Sequence, residues 1–141
     1  MVKIALLTRA SEERLKDLNR VLSQLRKENS GSLDELTQLV ASKDIVMVVA
    51  VLGERIVGVA TLFVLRKIGK RIGYIEDVVV DREFRGHGLG EKIMKRLISE
   101  ARARKVTYVS LTSRPSRVAA VKLYKKLGFA RAETNVYRIK F

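Results

Sequence analysis

Two long apolar segments separated by only three residues constrain the fold of this chain more than any other feature. The segments are IVMVVAVL (residues 45–52) and IVGVATLFVL (56–65), and the intervening GER supplies a glycine for a tight turn. Such a pair predicts a β-hairpin. A further segment, YIEDVVV (74–80), follows a lysine-rich turn and predicts another strand. The middle of the chain is therefore expected to form an antiparallel sheet.

Helical patterns precede and follow these strands. Ser11 with two glutamates after it, and the S-x-x-E capping box from Ser32 to Glu35, predict two helices after a first strand at residues 2–8. Hydrophobic spacing and turn signals then predict a helix over 88–103, a strand over 106–112, a helix over 115–127 and β structure over 129–141. Antiparallel strands followed by one strand-helix-strand crossover indicate a mixed α/β fold.

Length and composition favour an ordinary globular chain. With 141 residues, 47% hydrophobic and 31% charged, we expect one domain over residues 1–141. No apolar run approaches the roughly 20 residues that span a bilayer, and the N-terminus lacks a signal-peptide core, so a cytoplasmic location and no membrane partner are expected. Without cysteine and with a single histidine, we expect no disulfide and no metal cofactor.

The net charge of +14 is unevenly distributed. Residues 71–141 carry 17 basic and 7 acidic groups, which is +10 of the total. Nucleic acid, a phosphorylated ligand and simple solubility all agree with this excess. The lysines and arginines are scattered through amphipathic patterns, and the sequence shows no zinc-finger spacing and no aromatic RNA-binding motif. A dedicated nucleic-acid-binding protein is therefore not expected.

The stretch EFRGHGLGEK (83–92) places three glycines at alternate positions before a predicted helix. A dinucleotide fingerprint needs G-x-G-x-x-G in a longer repeated unit, and a P-loop needs G-K-[ST], so neither pattern is met. Glycines still allow the backbone to approach a ligand closely, and unpaired N–H groups at a helix start attract anions. With Arg85 at its mouth, this loop suits a pyrophosphate; the alternative is a turn that only starts a helix.

These residues resemble the GNAT N-acetyltransferase superfamily. RGHGLG (85–90) matches its [QR]-x-x-G-x-[GA] motif, YIEDVVVDREF precedes it as in the family, and LYKKLGF (123–129) resembles the L-Y-x-K-x-G-F signature. The resemblance implies a GNAT-like mixed sheet with antiparallel N-terminal strands, a splayed parallel pair in the centre and helices on both faces. It also implies transfer of an acetyl group from acetyl-CoA to a primary amine by direct attack in a ternary complex.

The resemblance further implies which residues contact the cofactor. The loop is expected to hold the CoA pyrophosphate, and the edge of the fourth strand to pair with the pantetheine arm. Many family members carry an asparagine where this chain has Arg117, which is expected to reach a CoA phosphate instead. The implied cofactor-binding residues are Val78, Val79, Val80, Arg85, Gly86, His87, Gly88, Leu89, Gly90 and Arg117.

Three residues are candidates for proton transfer. An alkylamine has a pKa near ~10 and must lose a proton before it attacks, so a carboxylate near the splayed strand, Glu76 or Asp77, is expected to accept it. Alternation directs these two side chains to opposite faces of the strand unless a bulge intervenes. The resemblance places Tyr124 near the CoA sulfur as proton donor. The alternatives are an ordinary charged pair at a strand and a tyrosine that only packs in the core.

The sequence does not single out one amine acceptor. GYIEDVVVDREFRGHGLG resembles the glucosamine-6-phosphate N-acetyltransferases of the superfamily, but a small amine or antibiotic and a protein amine are also expected candidates. A catalytically silent CoA-binding regulatory module is the main alternative function, and a basic nucleic-acid-binding protein is a weaker one. The C-terminal strand ending at Phe141 offers an edge for pairing, so a homodimer is possible.

Overall fold

The computed structural model describes residues 1–27 and 30–141, and these form a sheet covered by helices. Within these residues no helix is long and apolar enough to cross a membrane. The strands and α-helices are β1 Val2–Leu6, α1 Glu12–Leu22, α2 Leu33–Ala41, β2 Ile45–Leu52, β3 Arg55–Lys67, β4 Lys70–Val80, α3 Leu89–Ala103, β5 Val109–Ser110 and α4 Val118–Lys126.

The sheet has the spatial order β1-β2-β3-β4-β5. Each of the first three strands pairs antiparallel with the next one in the chain. β4 pairs parallel with β5, and α3 connects these two strands. Both predicted N-terminal helix caps are present: the Ser11 hydroxyl accepts from Arg14 N–H, and Ser32 and Glu35 form the reciprocal capping box. The predicted mixed α/β, GNAT-like fold class is confirmed.

Alternate residues of β2 and β3 build two separate cores, one on each face of the sheet. On one face Val48 and Leu62 pack with Ile93, Met94 and Leu97 of α3. On the opposite face Val49, Val59 and their neighbours pack with α1 and α2 through Leu18, Val21 and Leu36. Because successive side chains of a strand point to opposite faces, one apolar hairpin serves both helical layers.

The hairpin of β3 and β4 is longer than the apolar pattern indicated. Pairing continues through Arg66 with Arg71 and through Lys67 with Lys70. The strands predicted over 56–65 and 74–80 were therefore too short at the end where the two strands turn. Hydrophobic patterning marks where a strand is buried, whereas ladder hydrogen bonds extend a hairpin into solvent. The supposed lysine-rich turn is therefore mostly strand.

A β-bulge interrupts β4 opposite Ala60. The register shifts between Val59 and Thr61, which pair with Val79 and Glu76, so two residues of β4 face one residue of β3. Asp77 in this bulge has φ of 55°, in the left-handed region that a non-glycine residue seldom adopts. The extra residue changes the alternation of β4, so the carboxyl end of the strand presents a different set of side chains to each face.

β4 and β5 diverge almost as soon as they meet. Their ladder contains only Gly73 with Val109 and Tyr74 with Ser110, so the strand predicted over 106–112 is much shorter. A Cβ on Gly73 would lie 2.8 Å from Val109 Cγ1, and glycine therefore permits the one close approach of the two strands. Beyond that approach β4 runs to Val80 without a β5 partner, which is the splay that the family resemblance implied.

The prediction of β structure over residues 129–141 was wrong. None of these residues lies in a strand, and residues 130–141 are exposed throughout. A strand needs a neighbour to accept its ladder hydrogen bonds, and this segment has none among the described strands. For the same reason the parallel β4–β5 pair lies at one side of the sheet and not at its centre.

A buried carboxylate holds the connection that follows β4. Asp81 is only 2% exposed; it forms salt bridges with Arg20 of α1 and Arg55 of β3, and it accepts a hydrogen bond from Glu83 N–H at 3.1 Å. Burial by itself raises the pKa of Asp81, but hydrogen bonds from Glu83, Arg20 and Gln24 and the charge of Arg20 outweigh it and hold the pKa below its ordinary value.

Replacing Asp81 with asparagine should therefore destabilise the fold. We expect a loss of about 2 kcal/mol in unfolding free energy at pH 7, the cost of losing hydrogen bonds to a buried charge. Because the folded pKa is depressed, this contribution is present above the unfolded carboxyl pKa and disappears as the pH falls through the folded pKa. Urea denaturation should show the gap between the two proteins narrowing from pH 7 towards pH 3. Glu54→Gln, at an exposed turn position, is the control, and a gap independent of pH would contradict the assignment.

Candidate active site

The glycine loop leads from the short 3-10 helix Arg82–Phe84 into α3. Gly86 and Gly88 have φ of 83° and 74°, conformations that glycine adopts without strain. Gly88 is the N-cap of α3 and has no side chain to accept hydrogen bonds from the first turn. The first intrahelical bond runs from Lys92 N–H to the Gly88 carbonyl at 3.2 Å, so the N–H groups of residues 89–91 point out of the helix end. This arrangement suits an anion.

The side chains of Arg85 and His87 contact backbone carbonyls in and next to this loop. Arg85 Nε donates to the Val80 carbonyl at 2.8 Å, which ties the loop to the last residue of β4. His87 Nδ1 lies 3.1 Å from the Arg85 carbonyl and 3.3 Å from the Phe84 carbonyl, so it donates when that nitrogen carries the proton. Both side chains are exposed. The histidine therefore supports the conformation of the loop.

The open length of β4 carries the three valines expected along the cofactor arm. Val79 is buried in the core on the α1/α2 face, whereas Val78 and Val80 pack in part against the core on the α3 face. From Ile75 onward the backbone has no β5 partner in the described ladder. An extended ligand that bears amides can add to such an edge as another strand does.

The two candidate bases lie where the strands begin to separate. Glu76 is exposed and pairs across the ladder with Thr61. Asp77 occupies the bulge, and its Oδ2 lies 3.3 Å from Arg26 Nη2, just beyond the end of α1. In the part of the chain that the structure describes, Glu76 takes part in no salt bridge. The bulge thus engages one carboxylate in an ion pair and leaves the other accessible at the mouth of the splay.

The signature LYKKLGF forms the end of α4 and the turn that follows it. Gly128, with φ of 99°, donates to the Lys125 carbonyl, and Phe129 N–H donates to the Tyr124 carbonyl at 2.9 Å. These two bonds make a Schellman motif, which brings the residue after the glycine back onto the helix. The rings of Phe129 and Tyr124 meet edge to face with centroids 5.9 Å apart. The motif therefore fixes the orientation of Tyr124.

Tyr124 is 6% exposed and belongs to the core beneath α3. Burial raises the pKa of the Tyr124 phenol, and the nearby positive charge of Arg117 with its side-chain hydrogen bond partly opposes that rise. The phenol therefore carries its proton at neutral pH. Arg117 immediately precedes α4 and affects the phenol directly, whereas its contact with a cofactor phosphate stays a prediction.

Two features of the site were not anticipated from the sequence. Glu91, in the first turn of α3, lies 3.0 Å from Lys126 Nζ at the end of α4 and 3.4 Å from Lys95 Nζ. The hydrogen bond from Lys126 holds the pKa of Glu91 below its usual range, against weak desolvation. The Ser113 hydroxyl, between β5 and α4, is buried and has no hydrogen-bond partner among the described residues. No sequence pattern links residues as distant as Glu91 and Lys126.

The Glu91–Lys126 pair brings the glycine loop and the tyrosine helix together. Packing agrees with this contact, because a Cβ on Gly90 would lie 3.6 Å from Leu123 Cδ2 of α4 and 3.9 Å from Val80 Cγ2 of β4. A helix end with unpaired N–H groups, an open strand edge and a buried phenol thus adjoin one another.

Comparison with known proteins agrees with this geometry. The sequence profile of the acetyltransferase (GNAT) family matches residues 10–129, and the chain belongs to this family.

Relatives within the family include sugar-phosphate acetyltransferases. The chain is 42% identical over 72 residues to glucosamine 6-phosphate N-acetyltransferase 1 of Oryza sativa subsp. japonica, which covers 51% of this chain and 40% of that protein. It is 39% identical over 85 residues to the glucosamine 6-phosphate N-acetyltransferase of Trypanosoma brucei brucei, covering 58% and 56%. The chain thus spans about half the length of the curated relatives it matches.

Solved structures match over the whole chain. An acetyltransferase of Trypanosoma brucei superposes with a TM-score of 0.84 and 30% identity, covering 100% of both chains. The glucosamine-6-phosphate N-acetyltransferase of Arabidopsis thaliana superposes with a TM-score of 0.83 at 23% identity, covering 99% of this chain and 98% of that one. The second likeness is one of fold alone.

Replacing Gly88 with alanine tests the loop. At φ of 74° a Cβ adds strain of about 1–2 kcal/mol, which shifts the backbone and misdirects the N–H groups of the first turn. Isothermal titration with acetyl-CoA should show about tenfold weaker binding, equivalent to about 1.4 kcal/mol.

Gly53→Ala is the matched control, because Gly53 also has a positive φ of 63° and open space around it but lies in the β2–β3 turn. It should lose similar stability and keep its acetyl-CoA affinity. Equal acetyl-CoA affinities for the two variants would show that the loop does not contribute to acetyl-CoA binding.

Proposed function

We propose that this protein transfers an acetyl group from acetyl-CoA to a primary amine by direct attack within a ternary complex. The observation that carries the proposal is the adjacency of the α3 helix end, the open β4 edge and the buried Tyr124, joined by the Glu91–Lys126 salt bridge. Family membership supports it, because the relatives above are named N-acetyltransferases.

The proposed cofactor contacts follow the loop and the strand. The N–H groups of the glycine loop from Gly86 to Gly90, with the guanidinium of Arg85, bind the pyrophosphate. The backbone of residues 78–80 pairs with the pantetheine amides, and the guanidinium of Arg117, where many family members carry an asparagine, reaches a CoA phosphate. Bound acetyl-CoA supplies the thioester, and the chain supplies position and proton transfer.

Glu76 is the proposed general base. It lies two residues after Tyr74, the last residue of β4 that pairs with β5, and it is exposed there without a salt-bridge partner in the described structure. Asp77 is the weaker candidate because its carboxylate is already engaged in a salt bridge with Arg26. The amine proton passes to Glu76, directly or through one water, as the amine nitrogen forms a bond with the acetyl carbon.

Tyr124 is the proposed general acid. When the bond between the acetyl carbon and sulfur breaks, the leaving thiolate takes the phenol proton, so charge does not accumulate on sulfur. The guanidinium of Arg117 stabilises the phenolate that remains until a proton returns from solvent.

An amino-sugar phosphate is the acceptor that we propose first. Three of the curated relatives are named glucosamine 6-phosphate N-acetyltransferases, and a chain of net charge +14 favours an anionic substrate over a cationic one. A protein N-terminus is the runner-up, because the chain is also 39% identical over 56 residues to a ribosomal protein bS18-alanine N-acetyltransferase of Salmonella typhimurium.

An assay of thiol release tests the function. With acetyl-CoA and glucosamine 6-phosphate, we expect turnover with kcat/KM at least about tenfold above that for glucosamine, because the phosphate adds charge-assisted hydrogen bonds. An alanine-terminated peptide and a small diamine complete the panel. Binding of acetyl-CoA without thiol release for any amine would instead identify a catalytically silent CoA-binding module.

Conservative variants separate the proton-transfer roles in the same assay. Tyr124→Phe should lower kcat about 100-fold, at the lower end of the usual range for a general acid, and leave the KM for acetyl-CoA nearly unchanged. Tyr137→Phe, in the exposed tail, is its control. Glu76→Gln should remove the acidic limb of the pH profile of kcat/KM, whereas Asp77→Asn should not. The reverse order would assign the base to Asp77.

The exposed C-terminal segment supports a homodimer. Tyr137, Ile139 and Phe141 are 90%, 77% and 114% exposed at alternate positions, as on one face of a strand without a partner. We infer that residues 130–141 pair with a second copy of the chain, which supplies the ladder hydrogen bonds that this segment lacks.

Light scattering should therefore give twice the mass of one chain at micromolar concentration. Ile139→Lys with Phe141→Lys should give a monomer, because two charges oppose burial of the strand face. The control Arg138→Lys should remain dimeric. A monomeric wild-type chain would rule out this pairing.

A further inference from the structure

A basic cavity lies at the end of the molecule opposite the glycine loop. Its volume is about 640 Å³, and its lining includes five cationic side chains and no carboxylate: Arg66, Lys67, Lys70, Arg71 and Lys105. The extended tip of the β3–β4 hairpin forms one wall, and the residues after α3 form the other. Because α3 has 15 residues, it separates this cavity from the glycine loop by about 22 Å.

The fold adds Lys105 to the cations of the β3–β4 hairpin. Arg66 to Arg71 lie on the hairpin, Lys105 follows α3, and the two segments are brought together where Thr107 N–H donates to the Arg71 carbonyl at 2.8 Å. The sequence pattern predicted only a lysine-rich turn. The structure places these side chains around one concave surface.

The hairpin keeps these charges in an unfavourable arrangement. Arg66 pairs directly with Arg71, and Lys67 pairs directly with Lys70, across the antiparallel ladder. Like charges in opposite positions destabilise a hairpin. Asp44 relieves Arg66, with Oδ1 3.1 Å from Nε, but in the described structure Lys67, Lys70 and Lys105 have no carboxylate within salt-bridge distance. An external anion would relieve this repulsion.

Lys105 adds a second unfavourable feature on the other wall. Its φ is 57°, in the left-handed region, at the end of a helix where glycine is the usual residue. A cation near a helix C-terminus interacts well with the helix dipole, which accounts for the charge of Lys105 in part. The dipole does not account for the opposed cations on the hairpin, because those belong to another element.

An exposed aromatic residue and an exposed apolar residue adjoin the residues that line the cavity. Tyr108 is 46% exposed, and Lys70 Nζ lies 5.6 Å from the centroid of its ring. Ile68, at the tip of the hairpin, is fully exposed. Cations beside an aromatic platform are the combination by which proteins bind single-stranded nucleic acid, with phosphates on the cations and a base on the ring.

We propose that this basic cavity binds the phosphate backbone of a single-stranded nucleic acid. The cations of the hairpin and Lys105 neutralise phosphates, and Tyr108 stacks against a base. The site lies apart from the proposed acetyl-transfer site, so the proposal does not depend on that activity.

Fluorescence anisotropy with a labelled 16-mer of deoxyuridine and the full chain tests the proposal. If about four phosphates are neutralised, the slope of log K against log salt should be about −3. Saturating acetyl-CoA should leave the affinity unchanged, because the two sites are at opposite ends of α3. Displacement of the oligonucleotide by acetyl-CoA would assign binding to the glycine loop and overturn the proposal.

Lys67→Glu gives two opposed readouts. It replaces a like-charge pair with an attractive Glu–Lys pair across the ladder, so the melting temperature should hold or rise. Affinity for the oligonucleotide should nevertheless fall about tenfold and the salt slope should weaken by about 1, as for a lost phosphate contact. Tyr108→Ala should weaken binding several-fold with the salt slope unchanged.

Lys3→Glu is the matched control, because Lys3 is an exposed strand lysine at the far edge of the sheet. An equal loss of affinity in Lys3→Glu and Lys67→Glu would show that only net charge matters and would overturn the proposal. So would binding to vesicles containing phosphatidylserine in the absence of any binding to the oligonucleotide, because the cavity would then recognise a membrane surface. Thiol release by Lys67→Glu should equal that of the wild type.

Discussion

The site depends on the salt bridges and hydrogen bonds of one buried carboxylate, that of Asp81. It joins Arg20 of α1 and Arg55 of β3, and through Glu83 N–H it starts the turn that leads into the glycine loop. An ionised group with 2% exposure is stable only when it is paired and hydrogen-bonded. These contacts fix the path of the chain after β4, and they hold the N-terminus of α3 at the end of that strand.

A second constraint, the bulge at Asp77, changes the alternation of β4 close to the point where β5 diverges from it. β4 stays paired with β3 on both sides of the bulge, whereas from Ile75 onward its other edge has no β5 partner. The change in alternation also separates Glu76 from Asp77 in environment, since only Asp77 meets Arg26. Backbone strain at Asp77 is tolerated because β4 pairs with β3 on both sides of the bulge and so fixes its position.

Much of the fold was predictable because its signals are local. The apolar hairpin, the caps at Ser11 and Ser32 and the glycine end of α4 each depend on neighbouring residues, and each has the expected form. The loop and the tyrosine were found through motifs whose physical content is also local. The bulge, the Glu91–Lys126 pair and the unpaired Ser113 hydroxyl were not predictable, because each depends on residues far apart in the chain.

The C-terminal segment and the basic cavity show the same difference between local and long-range information. Alternation in residues 137–141 marks a strand face, but a strand forms only where a neighbour accepts its hydrogen bonds, and none of the described strands does. Likewise the sequence determined the number of cations, while the pairing of β3 with β4 and the end of α3 determined that five of them surround one cavity. Sequence by itself thus determined the elements and their buried faces, since helix and strand periodicity are properties of neighbouring residues. Only the tertiary structure decided which charges and hydrogen-bonding groups meet, because electrostatic and hydrogen-bonding contacts depend on distance in space.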